Sequence, residues 1–578
     1  MRAAAARLAA APALALVLAP AAAGLLGTLL PAFGWLPALG HHGPSLAPWR
    51  ALLATPGLGR ATLLAVTSGV GSTLLALALA VAIAATLHGR PAERRMRALL
   101  PPLLATPHAA SAVGFAFLVA PSGLFVRLLA PLLGLERPPA TATVQDPWTI
   151  ALTLALALRE APFLLFVLLA AADRPGLDHQ LGAARALGRG PVAAWLEVAL
   201  PQLWPSLRLP TLAVLAYGLS SVDMALVLGP TAPPPLAVLL WRWLADPDLD
   251  RRLVASAGAL LLLALTLALV LLGGLLERVA GRLRSAPGPL VLATAGLGRA
   301  AALLVPGMAL AGLAVLLAWS LAASWRFPAL LPAGPDLAAW RAALPLLGPV
   351  LTSTAAIAVA SALLALVATV AALEAPDHGG RAMALLWLPL LIPQIALVFG
   401  LQVFVILLGL ADGVGGVVLA HLLLVLPYTW LVLRGPWAGF DPRLEAAARS
   451  LGCSRLGALL RVRLPLLSAP ILAAGAIGIS VSAAQYLLTL AAGGGRIATL
   501  ATETMALVAG GDRRRIGVAA LLLALLPLAA TALALALPAL PARRRRRPAQ
   551  ALGKGANRLS MSSSVKLRPA PPPPSTPS

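Results

Sequence analysis

The sequence predicts an all-α polytopic membrane protein with about twelve transmembrane helices, arranged as two homologous six-helix bundles. The chain is 60% hydrophobic and 11% charged, with a mean hydropathy of +0.90, whereas soluble domains carry about 25% charged residues. Apolar runs of about 20 residues, long enough to cross a bilayer as a helix, recur along the whole length. Several short sequence patterns also occur once in each half of the chain, which predicts an internal repeat.

The apolar runs define the candidate spans in chain order. The first half contains six, at about 8–30, 61–87, 98–121, 148–172, 206–230 and 253–276. The second half contains six more, at about 300–322, 348–373, 383–409, 413–433, 469–491 and 516–539. The first run also resembles a secretory signal peptide, with a basic start and Ala-x-Ala near Ala21. However, it is long for a signal peptide, and its removal would leave an odd number of spans.

The loop charges predict the orientation of these spans. With the N-terminus in the cytoplasm, the inside loops and tails hold most of the 44 Lys and Arg residues, whereas the 20 Asp and Glu residues divide evenly. A bias confined to cations is what the positive-inside rule describes. We therefore expect both termini in the cytoplasm, and the net charge of +24 does not require a nucleic-acid partner.

Composition also divides the chain into regions. We expect a first half over 1–276, a basic cytoplasmic linker over 277–299 and a second half over 300–541. The tail, 542–578, contains an arginine run followed by Ser- and Pro-rich sequence. Such a tail is expected to be disordered and to lie near anionic membrane lipid.

Few residues are suited to metal or cofactor chemistry. Cys453 is the one cysteine, so neither an intrachain disulfide nor a cysteine metal cluster is expected. The histidines are scattered, and we expect no metal and no cofactor. No Gly-x-x-x-x-Gly-Lys-[Ser/Thr] sequence occurs, so any ATP that powers this protein would be held by another chain.

The most specific pattern is a pair of matching polar segments that align without gaps at an offset of 264 residues. They are "LGAARALGRGPVAAWLEVALP", from Leu181, and "LEAAARSLGCSRLGALLRVRLP", from Leu444. Both contain two alanines, a glycine four residues further on, and a later Leu-Pro. These residues are Ala183, Ala184, Gly188, Leu200 and Pro201 in the first copy, and Ala447, Ala448, Gly452, Leu464 and Pro465 in the second.

This pattern resembles the cytoplasmic EAA loop of permeases from binding-protein-dependent ABC importers. Two copies resemble the fused permeases, in which one chain supplies both transmembrane halves. At the position of the family's glutamate this chain has Gly182 and Ala446, and Glu445 lies one residue early. The segments that begin at Tyr217 and Ser480 are further similar to thiamine importer permeases, within a group that also handles ferric iron, sulfate and polyamines.

The resemblance implies a type I importer fold in the bacterial inner membrane. The chain would then be a transport subunit rather than an enzyme, giving the pathway for a small solute, thiamine or a related cation. Two ATP-binding cassette subunits and a periplasmic solute-binding protein would be its partners. We expect coupling helices at about 182–191 and 446–455, since small residues and a C-terminal glycine suit a short helix that docks on a partner. An ordinary amphipathic loop is the alternative.

Four polar residues within the candidate spans are expected to line the pathway: Arg159, Glu160, Asp223 and Gln485. Charged groups at this depth cost about 3 kcal/mol and usually pair or face a wet cavity. Arg159 and Glu160 are neighbours on one helix and point about 100° apart, so they do not simply face each other. Structural pairing between spans is the alternative role for these residues.

Two other function classes fit the composition. A twelve-span secondary transporter of the major facilitator type is one, because Gly89 to Ala98 resembles that family's basic loop, although Met96 replaces its second glycine. A membrane enzyme acting on lipid is the other. The enzyme is disfavoured because no nucleophile and base, metal cluster or carboxylate pair occurs in register.

Overall fold

The structure is a computed structural model that describes residues 2–280, 288–374, 385–411 and 413–537. The predicted tail, 542–578, lies outside the described residues. So do residues 281–287 of the predicted linker. The remainder of that linker is helical, because it forms the end of one long helix and the start of the next.

The first half consists of helices joined by loops, because its long runs are rich in alanine and leucine, which favour a helix enough to accommodate interior prolines such as Pro12 and Pro162. A two-residue antiparallel ribbon, β1 (Trp35–Leu36) and β2 (His41–His42), follows the first helix. The helices are α1 (Arg2–Ala32), α2 (Ala47–Leu53), α3 (Leu58–Leu87), α4 (Pro91–Ala105), α5 (His108–Val119), α6 (Leu124–Leu133), α7 (Ile150–Ala172), α8 (Leu177–Ala186), α9 (Pro191–Ala194), α10 (Leu200–Ser220), α11 (Asp223–Leu228), α12 (Leu236–Leu244) and α13 (Arg251–Ala280).

The second half has a similar order of elements. Its helices are α14 (Gly288–Ser320), α15 (Ala338–Leu373), α16 (Leu388–Leu391), α17 (Ile395–Leu407), α18 (Val414–Ala438), α19 (Pro442–Ser450), α20 (Arg455–Ala458), α21 (Leu464–Leu466), α22 (Ser468–Ala483), α23 (Leu487–Gly493), α24 (Leu500–Gly510) and α25 (Arg513–Ala536). One π-helical turn occurs in each half, at Trp195–Ala199 and Leu459–Arg463.

Within the described residues, nine helices are long and apolar enough to cross a membrane, or eleven if each of two bent pairs counts as one span. The protein is therefore an all-α polytopic membrane protein, as predicted. The number falls short of twelve because the predicted span 206–230 is interrupted. Helix α10 ends at Ser220, and the short helix α11 begins at Asp223 after a two-residue break.

Helices are interrupted at corresponding places in the two halves. In the first half, Pro107 lies between α4 and α5. In the second half, a turn that contains Pro393 lies between α16 and α17, and the chain bends there by 113°. Proline favours such breaks because it lacks an N–H and restricts the residue before it. A second break separates α10 from α11, and its counterpart, at residues 484–486, separates α22 from α23.

Each half packs its first helix against the other half. Helix α1 packs on α17, α18 and α15, and also on α13 of its own half. Helix α14 packs on α3 and α5 of the first half. Glycines allow both crossings: a Cβ at Gly400 would collide with the backbone of Gly24, and a Cβ at Gly114 would lie 3.1 Å from the backbone of Gly312.

Candidate functional site

A cavity of about 300 Å³ lies where the helix interruptions of the two halves meet. All four residues predicted to line a pathway, Arg159, Glu160, Asp223 and Gln485, line this one cavity. The break after α10 places Asp223 at the start of a short helix instead of within a continuous span. Whether these residues contact a solute stays a prediction, but the fold brings them together.

The carboxylate of Glu160 is paired with His108, a residue that the sequence did not single out for this site. Glu160 lies on α7, and His108 is the first residue of α5, directly after the break at Pro107. The distance from His108 Nε2 to Glu160 Oε1 is 2.8 Å, and Glu160 is only 8% exposed. Glu160 is therefore stabilised chiefly by a partner on another helix, with a smaller electrostatic contribution from its neighbour Arg159.

Asp223 is held by polar groups around the break between α10 and α11. Its Oδ1 accepts hydrogen bonds from the Tyr217 hydroxyl at 3.1 Å, the Ser221 hydroxyl at 3.2 Å and the Met224 amide at 2.9 Å. The side chain is 8% exposed. These bonds fix the carboxylate at the cavity wall without neutralising its charge.

Arg159 has no comparable partner. Its Nη2 donates to the carbonyl oxygen of Leu104 at 3.3 Å, and its buried Nε meets no acceptor among the described residues. A buried guanidinium N–H without an acceptor costs free energy. The cavity therefore contains a cationic donor group whose hydrogen-bonding capacity is largely unused.

Aromatic side chains also contribute to the wall, which is otherwise mostly aliphatic. The chain contains three tyrosines, and all of them, Tyr217, Tyr428 and Tyr486, line this cavity. The ring of Tyr217 packs on His108 with centroids 4.5 Å apart. Gln485 donates from Nε2 to the Val481 carbonyl at 2.9 Å. The rarity of tyrosine in this chain was the one feature of the sequence that could have drawn attention to these residues. That they meet at one site depends on the tertiary fold.

The two matching segments adopt the same local structure. In the first, α8 ends two residues before Gly188, which has a φ of +86°. In the second, α19 ends two residues before Gly452, which has a φ of +90°. A short helix and a π-helical turn follow in both, and the next helix begins at Leu200 or at Leu464. Helices were predicted at 182–191 and 446–455. The observed helices overlap these ranges, but each begins and ends four or five residues earlier than predicted.

Both segments expose an apolar side chain beside the glycine. Leu187 is 85% exposed and Leu451 is 86% exposed, and the two occupy equivalent positions of the repeat. Gly182, Ala183 and Gly188 are exposed as well, and a Cβ at Gly182 or Gly188 would meet nothing within 4 Å. The exposed leucine next to the glycine is therefore a feature that the two segments share.

The two segments are attached to the bundle in different ways. Helix α8 buries Leu177 and Leu181, each 1% exposed. Helix α19 buries none of its residues. Its Glu445, which aligns with Leu181, lies 3.4 Å from Arg463 Nη1, and the same nitrogen binds Glu374 at 2.8 Å. The first segment is held by apolar packing and by a contact of 3.0 Å between Asp178 and His88, and the second by an ion cluster.

A curated relative covers most of the chain. It is the "Inner membrane ABC transporter permease protein YnjC" of Escherichia coli, 35% identical over 491 residues, which are 84% of this chain and 89% of that protein. The chain belongs to the ABC transporter permeases. The predicted permease role is confirmed at this level, and the permease is a transport component rather than an enzyme. This relationship decides against the major facilitator alternative.

Two further relatives match parts of the permease. The "Molybdenum transport system permease protein ModB" of Mycobacterium bovis is 31% identical over 231 residues, which are 39% of this chain and 81% of that protein. The "Spermidine/putrescine transport system permease protein PotC" of Haemophilus influenzae is 24% identical over 145 residues, 25% of this chain and 56% of that protein. No family model and no solved structure matches the permease.

Family membership implies the general kind of partner. Permeases of this class act with subunits that bind ATP and with proteins that bind the solute. Within the part of the chain that the structure describes, no three His, Cys, Asp or Glu residues are grouped closely enough to hold a metal ion. The cavity, with its few polar groups, and the two matching segments are therefore the features to which a function can be assigned.

Proposed function

We propose that this chain is a fused permease that supplies both transmembrane halves of an ABC importer. The matching segments, with element boundaries and glycine φ angles that agree between the copies, are the observation that carries the proposal. The lengths of the relatives support it, because this chain is about twice as long as the ModB permease that it matches. Two homologous halves then surround one central cavity.

The segments around α8 and α19 are the proposed coupling helices, one for each of two ATP-binding cassette subunits. Leu187 and Leu451 would insert into the two ATPase subunits, and the adjacent glycines at positive φ would set the tight turn that presents them. Rigid connections through Leu200-Pro201 and Leu464-Pro465 would carry ATPase closure into the membrane helices. Both segments, and both termini, would lie in the cytoplasm.

Removal of the two exposed leucines tests this assignment. The double variant Leu187→Asp/Leu451→Asp should no longer retain the ATPase subunits on affinity purification, whereas Leu187→Met/Leu451→Met should retain them. Both leucines are exposed, so the melting temperature of the permease should change little. Full ATPase retention and solute uptake by the Asp variant would contradict the proposal.

The cavity is the proposed translocation pathway, and its solute is a small organic cation such as thiamine or a related compound. Glu160 and Asp223 supply negative charge, and Tyr217, Tyr428 and Tyr486 supply aromatic faces that attract a cation. A volume of about 300 Å³ lies in the range of small-molecule sites. The solute would arrive from a periplasmic binding protein that docks on the outer loops.

Uptake measurements test the energy source and the solute. Vesicles containing the permease, its ATPase and its binding protein should accumulate labelled thiamine when ATP is supplied, and an uncoupler of the proton gradient should not prevent it. Dependence on the gradient instead of ATP would contradict an ABC import mechanism. ATP-driven uptake of another solute, with no effect of thiamine, would contradict the assigned solute class alone.

A further inference from the structure

The cavity wall contains two opposite charges that do not neutralise each other. Among the residues that the structure describes, neither Arg159 nor Asp223 forms an ion pair, although both line the same cavity. Glu160 is already paired with His108 at 2.8 Å. An unpaired charge at this depth is costly and is usually kept for a functional contact.

The carboxylate of Asp223 is positioned to bind a cation. Its three hydrogen bonds all end on Oδ1, so Oδ2 keeps its lone pairs for a ligand. Tyr217 donates one of these bonds, and its ring also lines the cavity. A carboxylate beside an aromatic face is a favourable environment for a positively charged nitrogen.

The guanidinium of Arg159 is suited to the opposite charge. Of its five N–H donors, one makes a long bond of 3.3 Å to Leu104, and the buried Nε has no acceptor in the described parts of the chain. A guanidinium binds a carboxylate or phosphate through two parallel hydrogen bonds. Nε is enclosed by protein, so a ligand in the cavity would reach the terminal nitrogens, of which Nη1 makes no hydrogen bond with the described residues.

A short chain of contacts links Asp223 to Glu160, the sequence neighbour of Arg159. Glu160, next to Arg159 in sequence, binds His108; the His108 ring packs on Tyr217, and Tyr217 binds Asp223. The second half contributes uncharged groups such as Tyr428, Gln485 and Tyr486. Charge recognition is therefore confined to the first half and has two separate poles.

We propose that the solute carries both a cationic nitrogen and a separate anionic group, with the nitrogen bound at Asp223 and the anion at Arg159. This rests on the proposed role of the cavity as the translocation pathway. It narrows the solute class from cations to small molecules of mixed charge. Arg159 then distinguishes such a solute from a simple cation of the same shape.

Matched probes test the inference on the permease–ATPase complex in lipid nanodiscs. Thiamine and thiamine monophosphate share one cation and differ by a phosphate, and choline and glycine betaine differ by a carboxylate. Equilibrium binding should favour the zwitterionic member of at least one pair about tenfold, the effect of one added charge-assisted hydrogen bond. No preference in either pair, or no binding of any probe, would overturn the inference.

Variants assign the two poles. Arg159→Gln should remove the preference and leave the affinity for the cationic probe near the wild-type value, whereas Arg159→Lys should keep part of it. Asp223→Asn should weaken both members of the pair. If Arg159→Gln weakens both members equally, Arg159 has a structural role and the inference fails. ATP-driven uptake and ATPase retention are measured separately, so the failure of this inference is distinguishable from failure of the proposed function.

Discussion

At the scale of single residues, the pairing of His108 with Glu160 explains how a carboxylate is accommodated within α7. The pair joins two helices, and the side chains are only 22% and 10% exposed. Loss of one partner from a buried pair leaves the other charge or polar group unsatisfied, whereas replacement of both by apolar groups of similar size is often tolerated. We therefore expect the pair to stabilise the fold mainly because each side chain gives the other a hydrogen-bond partner, and less through net electrostatic attraction.

This reasoning predicts a strong coupling between the two positions. Glu160→Leu and His108→Phe should each destabilise the protein by about 3 kcal/mol. The double variant should be closer to wild type than the sum of the single losses. Thermal unfolding of the purified complex measures all four forms. Additive losses would show that the two side chains act independently.

The polar residues within the apolar spans could be picked out from the sequence, but their partners could not. Arg159, Glu160, Asp223 and Gln485 stand out because polar groups are rare in apolar spans, and the fold gathers them at one cavity. His108 did not stand out, because its meeting with Glu160 depends on how α5 packs against α7. Such tertiary pairings leave no local signature in a single sequence.

At the scale of elements, the two matching segments have one backbone conformation and two kinds of attachment. Helix α8 buries two leucines, whereas α19 buries none of its residues and is linked to the bundle through Arg463. That guanidinium binds Glu374 and Glu445 and lies 4.4 Å from the centre of the Trp437 ring. The equivalent position in the first half is Ala199, so the ion cluster belongs to the second half alone.

Arg463→Ala should therefore destabilise the second half by about 2 kcal/mol, between the values typical of exposed and buried ion pairs. The matched control is Arg461→Ala, two residues away. Because Arg461 is exposed, its loss should change the free energy of unfolding by less than about 0.5 kcal/mol. Thermal unfolding should show this difference, and high salt should reduce it. Equal melting temperatures for the two variants would exclude a structural role for the cluster.

The same scale shows where hydropathy was insufficient. Twelve apolar runs predicted twelve spans, but the structure breaks the runs near Pro107, Ser221, Ile392 and Gln485. Hydropathy averaged over a window of about 20 residues does not change when only two residues leave the helix. Continuous spans were therefore expected at 98–121 and 206–230. The parallel Pro107–Gly114 and Pro393–Gly400 spacings mark the first pair of breaks, because proline ends the helix and glycine admits the crossing helix.

At the scale of the whole molecule, the halves exchange their first helices. Helix α1 packs on α17 and α18, and α14 packs on α3 and α5. Each half therefore completes its packing with a helix that the other half supplies. Sequence could reveal the repeat but not this exchange, because both arrangements bury the same apolar faces and differ only in which copy is contacted.

The exchange predicts how the halves behave when separated. Fragments 1–284 and 285–578, produced together, should purify as one complex, whereas each alone should aggregate for lack of its exchanged helix. Gly400→Ala in the second fragment should weaken association, because the added Cβ collides with the backbone of Gly24 and overpacking costs about 1–3 kcal/mol. Gly435→Ala is the matched control, since a Cβ there meets nothing within 4 Å. A first fragment that is stable and monodisperse alone would mean that each half keeps its own first helix in the membrane.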